Sequence, residues 1–186
     1  MKRIFCLETE WTQNLHDLKD KSAVLPLLTF LENSLHIDNS FRQVATEVDF
    51  EYYIKHLQQP SYDAYDFVYL CFHGLENKIR FANGQSQDLL EFAETHKGIF
   101  EGRNVHFGSC SSLCMDEEDI RKFMRLTKAR MVTGYTETVD FMDSFIFELW
   151  LLNAICQNPR YAAKSILKLA NTEVQHFVEN LGFVAY

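Results

Sequence analysis

A chain of 186 residues with 47% hydrophobic content is long enough for one compact domain with a sizeable core, and no Pro-, Gly- or Ser-rich stretch suggests an internal linker. The formal net charge of −8 disfavours attraction to nucleic acid or anionic membranes, whose phosphates call for clustered Lys and Arg, and it suits a basic peptide or a basic partner surface. The first residues meet charge at Glu8 and Glu10 after a run of four apolar residues, too short for a secretory core or a membrane span, so a cytoplasmic location is expected.

In chain order, Arg3 to Leu7 reads as a first strand, and Ala23 to Leu35 as a helix with Leu25, Leu28, Leu31 and Leu35 at helical spacing and Pro26 in its first turn. Phe41 to Glu47 reads as a strand, followed by an amphipathic helix from Phe50 to Leu57 that Gln59-Pro60 ends. The apolar run Phe67-Val68-Tyr69-Leu70-Cys71 leads to Phe72-His73-Gly74, and Lys78 to Phe81 with Asn83-Gly84 looks like a hairpin arm and its turn beside that strand end. Gln87 to His96 is a crossover helix. It returns to a second run, Val105-His106-Phe107, which closes on Gly108-Ser109-Cys110. The acidic cluster Asp116 to Asp119 opens a helix to about Thr127, Met131 to Tyr135 is the next strand, and two helices, Asp140 to Ile155 and Tyr161 to Phe177, finish the chain. Strands alternating with helices from end to end predict an α/β fold with a mostly parallel sheet covered on both faces.

Parallel α/β sheets carry their sites at the carboxyl ends of strands, so the two strand endings deliver the His73 imidazole and the Cys110 thiol to one crevice. A thiol attacks as its thiolate, and a neighbouring imidazole serves to withdraw its proton or to protonate a leaving amine. Gly74 follows the histidine, and the absence of a side chain lets its N–H approach a substrate carbonyl; with the Cys110 N–H it forms a candidate oxyanion hole. The interval between His73 and Cys110 leaves room for one crossover helix.

His-Gly after one apolar strand and a small residue followed by Cys after the next resemble the caspase-like (clan CD) cysteine peptidases, a superfamily that includes caspases, metacaspases, gingipains, separases and bacterial CHAT-domain proteases. The resemblance is greatest to the CHAT proteins, whose strand and acidic loop after the nucleophile look like Ala129 to Asp140 here. It implies a three-layer caspase-like sandwich over the whole chain, with a central sheet of about five to six strands, and an endopeptidase acting through a Cys110–His73 dyad. In such enzymes charged residues after the first strand and after the nucleophile choose the substrate; the corresponding positions here are Glu8, Glu10, Glu137 and Asp140. Charge complementarity then points to Lys or Arg before the scissile bond. Each of the four carboxylates also has an ordinary reading as a solvated loop residue or a helix cap, Asp140 above all. Two positions depart from the usual pattern: Phe72 stands where a small polar residue is common, and Gly108-Ser109 where Ala is commoner.

Five cysteines are better read as reduced thiols than as a disulfide framework. Cys110 and Cys114 lack a second Cys or His pair at ligand spacing, so no metal is expected, and no glycine-rich phosphate turn follows any strand, so no nucleotide cofactor is expected either. Cys114 is a rival nucleophile, Cys71 reads as core, His106 as a satisfied core histidine, and His16, His36, His56, His96 and His176 as surface. Two other functions stand beside the peptidase: a catalytically inactive interaction module of a larger signalling or defence assembly, and a thiol acyl hydrolase using the same groups on a small substrate.

Overall fold

The computed structural model describes residues 3–11 and 21–186. Its centre is a six-stranded sheet in the order β2-β1-β3-β7-β8-β9, formed by Arg3–Thr9 (β1), Asp38–Val44 (β2), Phe67–Cys71 (β3), Asn104–Phe107 (β7), Met131–Tyr135 (β8) and Phe183–Ala185 (β9). The first five run parallel and β9 pairs antiparallel with β8. A second sheet of three short antiparallel strands, His73–Leu75 (β4), Lys78–Arg80 (β5) and Ser86–Asp88 (β6), projects from the end of β3.

β3 and β8 are buried along their whole length, and β1 nearly so, because helices cover the sheet on both sides. Alternate residues of each strand feed two separate cores. Phe5, Leu7, Val68, Leu70, Val105 and Phe107 pack with the helices Glu47–Ile54 (α2), Leu89–Thr95 (α3) and Glu117–Thr127 (α4). Ile4, Cys6, Tyr69 and Cys71 pack with Leu25–Leu35 (α1), Phe141–Gln157 (α5), Ala163–Glu173 (α6) and Gln175–Leu181 (α7). The result is the expected three-layer sandwich. Each buried Leu or Phe of these layers contributes about 1.5–3 kcal/mol of transfer free energy.

Several element boundaries differ from the sequence reading, each for a local reason. β1 runs on to Thr9, which places Glu8 inside the strand rather than in the loop after it. The strand expected at Phe41 to Glu47 lies at Asp38–Val44, because Thr46 and Asp49 form a capping box that starts α2. The final helix breaks at Val174 into α6 and α7. β9 lies beyond the elements that the sequence pattern predicts: Gly182, at φ 59°, ends α7 and turns the last residues back along β8. His96 is a correction too, since it is buried, with Nε2 2.9 Å from Glu51 and its ring stacked on Phe92. His36 and His176 are exposed and His56 half-buried, while His16 lies outside the described residues. No helix among the described residues is long and apolar enough to cross a membrane.

Asp140 sits at the start of α5, where its side chain accepts the N–H groups of Met142 and Asp143 at 2.9 and 3.1 Å. Its carboxylate is therefore engaged as a helix cap. Replacing such a cap by Ala typically costs about 1 kcal/mol, whereas Asn serves nearly as well as Asp. Urea unfolding should show Asp140→Ala destabilised by about that amount and Asp140→Asn near wild type; equal stability of all three proteins would remove the capping role.

Candidate active site

The strand register brings the carboxyl ends of β1, β3 and β7 level with one another. Glu8 pairs with Cys71, Leu70 with Phe107, and the Gly108 N–H donates to the Leu70 carbonyl at 2.9 Å. Past that line the chain leaves β3 through Phe72 into His73-Gly74, and leaves β7 through Gly108 into Ser109-Cys110. The two departures lie against each other. The Phe72 N–H donates to the Ser109 hydroxyl at 3.2 Å, and a Cβ placed on Gly74 would stand 1.7 Å from the Cys110 carbonyl oxygen and 2.7 Å from its nitrogen. Only a glycine fits there, so residue 74 holds its main chain directly on the Cys110 peptide. His73, Gly74 and Cys110 are all half-buried, open to solvent on one side.

The loop that carries Cys110 is fastened on several sides. Ser111 takes the left-handed conformation at φ 50°, which costs a non-glycine residue about 1–2 kcal/mol. Surrounding bonds hold it there: the Ser111 N–H donates to the Glu137 carbonyl at 2.9 Å, Leu113 N–H to the Tyr135 carbonyl at 3.2 Å, and the Ser112 hydroxyl to the Ser109 carbonyl at 3.1 Å. Cys114, the rival thiol, is exposed, and its N–H donates to the Ser111 carbonyl at 3.1 Å.

His73 has a partner that sequence reasoning did not identify. Its Nε2 lies 2.9 Å from the Trp11 main-chain carbonyl, which only accepts, so Nε2 carries the proton and Nδ1 is the nitrogen free to take one up. The Trp11 ring meets the imidazole edge-on with centroids 5.1 Å apart, and its Nε1 donates to Glu8 Oε1 at 2.7 Å. Glu8 is fully buried; the same Oε1 accepts from the Ala23 and Val24 N–H groups at 2.8 and 3.1 Å, while Oε2 has no partner among the described residues. Glu8, Trp11 and His73 thus form one chain of contacts across the end of β1.

Beneath Gly108 lies a buried polar cluster centred on Glu148 of α5, which is 6% exposed. It accepts the Tyr69 hydroxyl in a short bond and the Tyr135 hydroxyl at 3.2 Å, and His106 Nε2 lies 3.4 Å away. His106 also meets the Thr133 hydroxyl at 2.9 Å through Nδ1, so it is a satisfied interior histidine. Burial, then the neighbouring negative charge, pushes the Tyr69 and Tyr135 phenols up, and both remain O–H donors. Burial likewise raises the Cys6 and Cys71 thiols, which stay protonated in the core. Glu148 was missed, although one acid among Phe145-Ile146-Phe147 and Leu149-Trp150-Leu151-Leu152 was a visible signal that something polar faces it.

Of the other acidic candidates, Glu10 is half-buried, with its N–H on the Val44 carbonyl, and Glu137 is exposed with its side-chain stem laid against Gly182. Among the described residues no group of three His, Cys, Asp or Glu side chains is placed to hold a metal ion. A cavity of about 950 Å³ opens at the opposite end of the sheet beside Asp66, Arg103 and Lys128, which precede strands; in its lining Lys128 pairs with Glu101 at 3.0 Å, and the Arg103 guanidinium donates to the main-chain carbonyls of Tyr65 and Leu57 at 2.9 Å.

Comparison with known proteins agrees with this architecture. The chain is similar to the crystal structure of the Drosophila initiator caspase Dronc, with a TM-score of 0.53 and 11% identity over 91% of this chain and 71% of that one. At that identity the likeness is one of fold, and the fold is caspase-like. No curated protein matches by sequence. A family model described as a family of unknown function (DUF6642) matches residues 1–186, and the chain belongs to that family.

Proposed function

We propose that the protein is a cysteine endopeptidase in which Cys110 and His73 form the catalytic dyad. The observation that carries this reading is the direct seating of Gly74 on the Cys110 peptide, which brings the histidine strand end and the cysteine strand end to one place. The Cys110 sulfur attacks the scissile carbonyl, forming a C–S bond as the C–N bond breaks. His73, its Nε2–H fixed on the Trp11 carbonyl, receives the thiol proton at Nδ1 and passes it to the departing nitrogen. The N–H groups of Gly74 and Cys110 stabilise the oxyanion, and water then hydrolyses the thioester. The side chain before the cleaved bond is basic, in keeping with the carboxylates gathered at this end of the sheet. Within the caspase-like group, the small bacterial or archaeal type related to CHAT domains is the kind this reading names, with a protein or peptide as substrate.

A second reading, an interaction module within a larger assembly, has one observation in its favour. Phe30 and Ile146 are about half exposed beside Leu35, Leu149 and Trp150, and Phe141 and Met142 extend this apolar surface along α5. Thiol reactivity separates the two. Near neutral pH, Cys6 and Cys71 should resist alkylation because burial keeps them protonated, and Cys110 should react well ahead of the exposed Cys114 if an imidazole activates it. Peptide mapping after timed iodoacetamide treatment measures this; a Cys110 no faster than Cys114 favours the module.

Cys110→Ala should abolish cleavage of a peptide library containing Lys and Arg, while leaving thermal unfolding close to wild type because the side chain is small and half-exposed. Unchanged turnover in that variant would dismiss the dyad.

A further inference from the structure

The proposed chemistry leaves the Glu148 cluster unused, although it opens beside the dyad. Trp11, Tyr69, Cys71, Gly108, Ser144 and Glu148 line a recess with about 30 Å³ of free volume at the carboxyl end of the sheet. Its rim is shared with the candidate active site. Trp11 holds His73, Cys71 precedes His73 by two residues, and Gly108 precedes Cys110 by two.

Gly108 is what makes the opening. A Cβ at that position would lie 2.8 Å from Glu148 Oε1, 2.9 Å from the Tyr69 ring and 3.2 Å from the Cys71 sulfur. Any larger residue closes the space above the carboxylate, which gives a physical reason for glycine where Ala is commoner. The wall between recess and loop holds a second buried carboxylate: Trp11, Ala23 and Val24, which also line the recess, donate to Glu8 Oε1, while Oε2 has no hydrogen-bond partner among the described residues. A buried carboxylate oxygen without a donor is costly, and an arriving cation relieves that cost.

We propose that this recess receives the side chain preceding the scissile bond and selects lysine, with Glu148 as the carboxylate that determines the choice. The inference rests on the peptidase reading and names its substrate class. One water-sized sphere takes about 10–15 Å³ of such volume, so the recess suits an ammonium head and is too small for a planar guanidinium of four heavy atoms. Trp11 and Phe145 on its sides accept the apolar methylene stem. The Ser144 hydroxyl donates to the Phe141 carbonyl at 3.0 Å and so presents its lone pairs as acceptors. An acidic side chain meets like charge, and norleucine, isosteric with lysine up to the head group, brings no positive charge to the carboxylate.

Binding and turnover test the two levels separately. Calorimetric titration of the Cys110→Ala protein with acetylated tetrapeptide amides ending in Lys, Arg or norleucine reads the recess without chemistry. The Lys peptide should bind about tenfold or more tighter than the other two, the range expected for one charge-assisted contact made or lost. Glu148→Gln on the same background should erase that preference, and Gly108→Ala, which fills the space, should weaken the Lys peptide most. If neither variant folds, the comparison among the three peptides on Cys110→Ala still decides. Equal binding of the Lys and norleucine peptides, tighter binding of Arg, or binding of none of them overturns the proposal. Lysine-selective binding by a protein whose wild type cleaves no lysyl peptide supports the recess and overturns the peptidase reading instead.

Discussion

The structure turns on one close approach, that of the main chain at Gly74 to the main chain at Cys110. Two parallel strands diverge from their ladder after Leu70 and Phe107, and without further ties the departing chains would separate. The Ser109 hydroxyl accepting the Phe72 N–H is such a tie, worth about 1 kcal/mol net as an ordinary hydrogen bond but considerably more in geometric terms, because it fixes which way both peptides face. The glycine completes the fit by having nothing to clash. The left-handed Ser111 and its bonds to the β8 end then hold the thiol-bearing turn from the other side.

Around this contact the two cores of the sandwich are used differently. The layer under α2, α3 and α4 is aromatic and aliphatic, with Phe50, Phe72, Phe81 and Phe92 packed ring against ring. The layer under α1 and α5 becomes polar at the carboxyl end of the sheet, where Glu8, Tyr69, His106, Thr133, Tyr135 and Glu148 are buried. Burying a carboxylate is expensive unless donors surround it, and Glu148 has two phenols and an imidazole for the purpose. Stability alone would be served as well by apolar residues of similar volume. A buried carboxylate cluster beside the strand ends that carry the thiol and the imidazole is what a charged substrate group would require.

The sequence made the central strands legible because burial on both faces leaves continuous apolar runs, as in Phe67 to Cys71 and Met131 to Tyr135. The edges were less legible. β2 has a single neighbour and is half-exposed, so its composition is mixed, and the β-favouring Val44 and Thr46 drew the expected strand into what is a helix cap. β9 is three residues long, below what a periodic pattern can reveal. In the candidate site, the meeting of the His73-Gly74 and Cys110 segments is legible because both follow the carboxyl ends of neighbouring parallel strands. The Trp11 carbonyl was not readable, since a main-chain acceptor carries no residue signature. Glu8 reads as a loop acid because the apolar run of β1 stops at Leu7 while the strand continues to Thr9, and Glu148 lies hidden in an apolar helix whose partners come from three different strands.

A substrate-like electrophile tests the meeting of sulfur and imidazole most directly. A peptidyl acyloxymethyl ketone with a lysine side chain needs an activated thiolate, the oxyanion donors and the adjoining recess together, and mass spectrometry locates its adduct. The account predicts one adduct on Cys110, lost in His73→Ala and much slower when lysine is replaced by norleucine. An adduct on Cys114, or equal labelling of Cys110 with and without His73, would contradict it.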